Sequence, residues 1–123
     1  YERLISNGIS HDYTMGYADQ VGFRASMSCP YPFFNLFTNA ETTLTLHPFC
    51  AMDTALNKHM HLSIEEATVK VKHLMDECKA VDGCFSGIWH NENLSDKFGW
   101  DGWNSLWEDA IAYHDKILTL QTK

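Results

Sequence analysis

The sequence predicts an α/β fold in which strands and helices alternate along the second half of the chain. TTLTLHPF (residues 42–49) alternates Thr and Leu with the two-residue period of a strand, and Pro48 ends that ladder. A capped amphipathic helix, a short apolar run and a Trp-rich helical pattern follow it. Strand, helix, strand, helix in this order predicts parallel strands joined by right-handed crossovers.

The first third of the chain gives weaker signals. YERLISNG (1–8) has the ending of a helix, with Asn7-Gly8 as its stop, but no cap upstream. We therefore expect the chain to begin inside a domain. ISHDYTMGY (9–17) and VGFRAS (21–26) are predicted as short strands. SMSCPYPFFNLF (26–37) holds two prolines and is predicted as an irregular, aromatic-rich loop.

The second half is more regular. In residues 63–83, Ser63 and Glu66 form a capping box and Gly83 is the predicted stop. The predicted apolar face of this helix comprises Ile64, Ala67, Val71, Leu74, Cys78 and Val81. CFSGIW (84–89) predicts a strand. The last helix, within residues 100–117, is predicted to place on one side Trp103, Leu106, Trp107, Ala110, Ile111 and Ile117.

Composition limits the class of protein. The chain has 123 residues, 45% of them hydrophobic, which suits a single compact unit with a sizeable core. Its net charge of −7 has the wrong sign for phosphate backbones, so we expect no nucleic-acid partner. No apolar run approaches the roughly 20 residues that span a bilayer. The four cysteines lack CxxC spacing and are predicted to be reduced and mostly buried, which favours a reducing compartment without assigning a location.

His90 is the candidate catalytic residue. It follows the apolar strand GCFSGIW and is followed by Asn91, Glu92 and Asn93. In parallel α/β proteins, reactive side chains collect at the carboxyl ends of strands. An imidazole there can exchange a proton near neutral pH, as acyl transfer requires. The alternative is a histidine that caps the strand or binds a backbone carbonyl. Counting in twos places Phe85 and Trp89 on the opposite side, toward the helices.

The order of short motifs resembles the C-terminal half of polysaccharide deacetylases, the NodB-like carbohydrate esterases of family 4. The order is GI..DYTMGY, GFR, an aromatic Pro-containing loop, TLTLHPF..MDT, an S-x-E-E-A helix, GCFSGIWHN and a closing Trp-rich helix. The resemblance covers nearly all 123 residues. It implies part of an irregular (β/α) barrel, incomplete at its N-terminus, with residues 1–123 as a single partial domain. It also implies metal-dependent hydrolysis of N- or O-acetyl groups on sugars, with His90 as the general acid and Trp89 beside it at the substrate.

The chain departs from that family in ways that affect its metal site. A TFDDG-like segment and an HxxxH-like segment, which supply the base and the metal ligands, are absent from these 123 residues. We therefore expect a divalent, zinc-like metal in the full-length protein but none held by this chain's own motifs, and the chain alone is expected to be inactive. Arg24 lacks the proline that stands two residues after the family's arginine, and it follows the GI strand, whereas the family's arginine precedes that strand. Arg24 is therefore a candidate substrate-binding residue or the partner of a salt bridge at the barrel rim.

For the remaining candidate residues, a structural role is an alternative to the functional one. Asp12 could bind a sugar hydroxyl, hold Arg24, or cap a turn beside Tyr13 and Thr14. His59 and His61 form H-x-H in a polar connector, where a structural role outweighs metal binding. His47 precedes Pro48 and is a weaker pocket candidate than His90.

Two functions of different classes follow. The first is a fragment of a polysaccharide deacetylase acting on acetylated oligo- or polysaccharide. The second is a non-catalytic carbohydrate-binding or scaffold domain of the same fold. In either case an incomplete barrel leaves unpaired strand edges, so we expect self-association or pairing with the missing N-terminal half.

Overall fold

The computed structural model describes residues 1–119, with side chains as far as Lys116. It begins with a short helix, α1 (Glu2–Ser6), which is followed by Gly8 at φ 74°. The predicted stop at Asn7-Gly8 is confirmed, because Gly8 occupies the left-handed conformation that ends helices at little cost.

The first sheet contains three strands in the order β1-β3-β2. These are β1 (His11–Asp12), β2 (Tyr31–Asn35) and β3 (Ala40–Leu46), with β1 parallel and β2 antiparallel to β3. In β3, Leu44 and Leu46 are fully buried and their Thr neighbours are not, as the alternation predicts.

Three predictions for the first third need correction. The strand predicted in residues 9–17 shrinks to β1, because the Asp12 carboxylate accepts the Thr14 N–H and turns the chain. Residues 21–26 form no strand, since Gly22 at φ 126° and Ser26 at φ 55° break the extended conformation. The predicted loop contains β2, an edge strand in which the missing N–H of Pro32 is tolerated.

The second sheet pairs β4 (Ala51–Met52) in parallel with β5 (Gly87–Ile88). A π-helical turn, Ala55–His59, and helix α2 (Ile64–Ala80) connect these two strands. The Ser63–Glu66 capping box is present at the start of α2, as predicted. A 3₁₀ turn, Asn91–Leu94, follows β5, and the last helix is α3 (Asn104–Thr119).

A backbone ladder links the two sheets. Between β3 and β4, the N–H groups of His47 and Phe49 donate to the carbonyls of Asp12 and Met15, and the Cys50 N–H donates to Ser86. The β3–β4 segment therefore lies between β1 on one side and the β5 strand on the other. Residues 1–119 thus form small sheets joined by this ladder, and a complete barrel stays a prediction.

The main core lies between the β4–β5 sheet, α2 and α3. Its buried members are Leu56, Ala67, Val71, Met75, Trp100, Trp103, Leu106 and Ala110, with Phe85 and Trp89 packed against them. The predicted helical faces are right at most positions. Val81, however, is 70% exposed because α2 ends at Ala80, and Trp107 and Ile111 are partly exposed at the margin of α3. The predicted contact of Ile117 lies outside the described side chains.

Candidate functional site

The candidate site is built where β4 and β5 end. Because these strands are parallel, the residues that follow them lie at the same edge of the sheet. Asp53 directly follows β4, and His90 lies two residues beyond β5. The backbone N–H of His90 donates to Asp53 Oδ2 over 2.8 Å, which joins the two strand ends.

Asp53 is a fully buried carboxylate, with 0% of its surface exposed. Its Oδ1 accepts the Thr54 N–H at 2.7 Å and faces His90 Nδ1, also at 2.7 Å. Its Oδ2 accepts from the His90 N–H and from Asn93 Nδ2, each at 2.8 Å. Three N–H donors and the His90 ring nitrogen thus surround the two oxygens, a set of contacts that suits an acceptor-only carboxylate.

The His90 ring has one bound and one open edge. Nδ1 contacts Asp53, while the side chain remains 39% exposed. Since Asp53 offers only acceptors, the Nδ1 position carries a proton. Nε2 has no hydrogen-bond partner among residues 1–119 and is free to exchange a proton with a bound molecule. This arrangement of a buried carboxylate behind an imidazole is suited to acid–base chemistry.

Asn93 fixes the second oxygen of Asp53. It is buried within the 3₁₀ turn, and its backbone N–H donates to the His90 carbonyl at 3.0 Å. Its side-chain amide donates to Asp53. The turn after His90 therefore holds the carboxylate that in turn orients the His90 ring.

Trp89 lies on the other side of the chain from His90. It packs against the helical core, and its ring centroid lies 6.0 Å from that of Trp107. Its Nε1 is buried and has no hydrogen-bond partner in the described part of the chain. The structure therefore places the Trp89 ring behind the site, toward the helices.

Arg24 and Asp12 are separate from the His90 pair. Asp12 Oδ1 accepts hydrogen bonds from both the N–H and the hydroxyl of Thr14. These contacts are those of a residue that caps a turn. The Arg24 guanidinium donates to the Gly16 carbonyl at 3.2 Å. No contact between Arg24 and Asp12, and no ion pair of Arg24, occurs within residues 1–119.

Two further groups of histidines bear on metal binding, the H-x-H residues and one close pair. His59 and His61 are both exposed. His47, in contrast, lies with its Nε2 2.9 Å from His11 Nδ1, and the Tyr13 ring stacks on it. Nowhere in the described residues do three or more His, Cys, Asp or Glu side chains form a group that could hold a metal ion.

The sequence prediction missed Asp53 and Asn93. A usable signal for Asp53 was present, because MDT follows the apolar run FCA just as HN follows GIW. A carboxylate after one predicted strand and an imidazole after the next would meet if those strands were parallel neighbours. Asn93 had no comparable signal, since its role depends on the 3₁₀ turn.

Comparison of the chain with protein family models, with curated proteins and with solved structures finds no match to any of them. No helix in the described residues is long and apolar enough to cross a membrane.

Proposed function

We propose that this chain is part of a carbohydrate deacetylase and carries its general acid, His90. The supporting observation is the 2.7 Å contact between a half-exposed imidazole and the buried carboxylate of Asp53, at the ends of two parallel strands. The motif resemblance supplies the reaction class, hydrolysis of N- or O-acetyl groups on an oligo- or polysaccharide. The geometry supports His90 as the residue that would assist departure of the sugar.

The proton path follows from the hydrogen bonds of the pair. In its protonated form, His90 donates the Nε2 proton to the departing sugar nitrogen or oxygen as the bond to the acetyl carbon breaks. The ring is then neutral, with its remaining proton on Nδ1 facing Asp53. Asp53 holds this tautomer and stabilises the charged ring, but it takes no proton itself.

The resemblance also implies a divalent, zinc-like metal, which would activate water. Catalytic zinc sites use three protein ligands and one open position. Residues 1–119 offer no group of three or more suitable side chains, so they do not fit that requirement. The proton-transfer steps proposed here therefore involve His90 and Asp53 alone. In this proposal the metal ligands would lie outside residues 1–119 of the full-length protein.

The test compares His90→Gln with wild type in the full-length protein, using acetylated chitooligosaccharides as substrate. Loss of the acid should lower kcat by about 10²-fold or more, the usual contribution of general acid–base catalysis. Metal content and melting temperature should stay close to wild type. His73→Gln, which changes an exposed histidine of α2, is the matched control and should retain full kcat.

A His90→Gln variant with normal turnover per folded molecule would remove His90 from the chemistry. A wild-type protein that binds these oligosaccharides but releases no acetate would instead support the alternative, a carbohydrate-binding or scaffold domain.

A further inference from the structure

A pair of histidines lies at the end of the β1–β3 ladder. The register pairs His11 with Thr45 in parallel strands, so His47, one residue beyond β3, follows that position by two residues and lies on the same face. The two rings are in contact across this spacing. The His47 N–H also donates to the Asp12 carbonyl at 2.8 Å, which holds the two backbones together next to the rings.

The rings of this pair are held in place. His11 Nδ1 lies 2.9 Å from His47 Nε2, and the ring centroids are 5.1 Å apart. Tyr13 stacks on His47 with a centroid distance of 4.2 Å and an interplanar angle of 15°. His11 is exposed, so an ion from solvent can reach the pair. Neither histidine contributes to the Asp53–His90 contact, and nothing in the proposed deacetylase chemistry uses them.

Two ring nitrogens at this separation match a defined coordination geometry. Metal–imidazole bonds are about 2.0–2.1 Å long, so two nitrogens in cis positions at a right angle lie about 2.9 Å apart. Two nitrogens at the tetrahedral angle would instead lie about 3.3 Å apart. Tetragonal geometry with nitrogen ligands is typical of Cu²⁺ and Ni²⁺, which also bind imidazole more tightly than earlier divalent metals of the series.

We propose that His11 and His47 form a two-imidazole binding site for a tetragonal divalent metal ion, Cu²⁺ or Ni²⁺. Binding breaks the hydrogen bond between the rings. The donor ring loses the proton on its bonding nitrogen to solvent and takes up a proton on its other nitrogen, so that both bonding nitrogens offer a lone pair. Both rings then turn their lone pairs from each other toward the ion, and two metal–nitrogen bonds form. The other coordination positions go to water, because residues 1–119 bring no third His, Cys, Asp or Glu into a group with this pair.

The experiment titrates Ni²⁺ into the full chain by isothermal calorimetry. The protein carries no histidine tag and contains Cys84→Ser, so that this exposed thiol does not compete. One Ni²⁺ per chain is expected. His11→Ala and His47→Ala should each weaken binding by at least about tenfold, since even loss of a hydrogen-bond partner of a metal ligand costs that much.

The matched control is His59→Ala/His61→Ala, which removes the exposed H-x-H pair and should leave the affinity unchanged. Electron paramagnetic resonance of the Cu²⁺ complex gives a second readout, with nitrogen hyperfine coupling from two imidazoles that drops to one in His11→Ala. Circular dichroism verifies that each variant is folded.

Unchanged affinity in folded His11→Ala, or loss of binding in the H-x-H variant instead, would overturn the assignment and leave His11 and His47 as a hydrogen-bonded pair. The result is independent of the deacetylase proposal, because the readout requires no acetate release.

Discussion

At the scale of single residues, Asp53 is the most constrained side chain of the candidate site. Both of its oxygens accept two donors, and none of its surface is exposed. Asp12 is also buried, but among the described residues only its Oδ1 accepts hydrogen bonds, and both donors come from Thr14. We therefore expect the two aspartates to differ in how well they tolerate substitution by asparagine.

Asp53→Asn should lower the free energy of unfolding by about 1–3 kcal/mol, because the new NH₂ group must face donors that lose their acceptor. Urea unfolding at neutral pH measures the change. Asp12→Asn is the matched control: the amide oxygen can still accept both Thr14 donors, so its stability should stay within about 0.5 kcal/mol of wild type. Equal effects of the two substitutions would contradict the four-donor description of Asp53.

At the scale of elements, α2 is specified by its start and by its buried face. The Ser63 hydroxyl accepts the Glu66 N–H, and the Glu66 carboxylate accepts the Ser63 N–H. Ala67, Val71 and Cys78 are buried on the face that the periodicity predicted. The cap satisfies backbone donors that would otherwise have no partner within the helix.

Ser63→Ala should cost about 1 kcal/mol of stability, within the range of about 0.5–2 kcal/mol known for such caps. Ser105→Ala is the control, since the Ser105 hydroxyl donates to the Gly102 carbonyl at the exposed start of α3 and caps no backbone N–H in the described part of the chain. Its effect should stay within about 0.5 kcal/mol. Thermal unfolding of both variants distinguishes them, and a neutral Ser63→Ala would mean that tertiary packing alone starts α2.

At the scale of the whole molecule, thiols from three separate regions meet the segment that leads to His90. Each thiol lies near a backbone carbonyl oxygen of this segment: Cys29 Sγ is 4.0 Å from that of Asp82, Cys78 Sγ 3.4 Å from that of Cys84, and Cys50 Sγ 3.5 Å from that of Ser86. None of the four thiols forms a disulfide within the described residues, and burial, which was predicted for most of them, holds for Cys50 and Cys78 but not for Cys29 and Cys84. Burial, followed by the nearby Cys78, raises the pKa of the Cys50 thiol to about 12.

This pKa predicts a loss of stability at alkaline pH. Above about pH 9 the Cys50 thiol ionises in the unfolded chain but stays protonated in the folded one, so the free energy of unfolding should fall as pH rises from 9 toward 12. Cys50 lowers the free energy of unfolding by at most about 1.4 kcal/mol per pH unit.

Urea unfolding at pH 8, 9 and 10 under reducing conditions measures this slope in wild type and in Cys50→Ala. The variant should have a shallower slope, whatever its stability at pH 8. Burial also raises the pKa of Cys78, and its hydrogen bond with Cys50 opposes that rise, so Cys50→Ala changes the Cys78 contribution as well. The same comparison in a Cys78→Ala background removes this contribution and leaves the difference in slope to Cys50. Parallel slopes would contradict the raised pKa.

Prediction from sequence succeeded where a local pattern has one physical meaning. The Ser63 cap, the alternation in β3 and the Asn7-Gly8 stop depend on neighbours a few residues away. It failed at β2, where two prolines indicated a loop. That strand exists because β3 offers an open edge to pair with, and an edge strand tolerates Pro32.

The candidate site likewise combines features that depend on near neighbours in the chain with features that depend on distant ones. From the residues alone it follows that an imidazole comes after an apolar run at His90 and that Phe85 and Trp89 face the helices. The partner that holds this imidazole depends on the tertiary structure. Asp53 lies 37 residues before His90, and His11 lies 36 residues before His47. Contacts across such separations depend on which strands become neighbours and in which register, and a slip of one residue would turn each side chain to the opposite face of its strand.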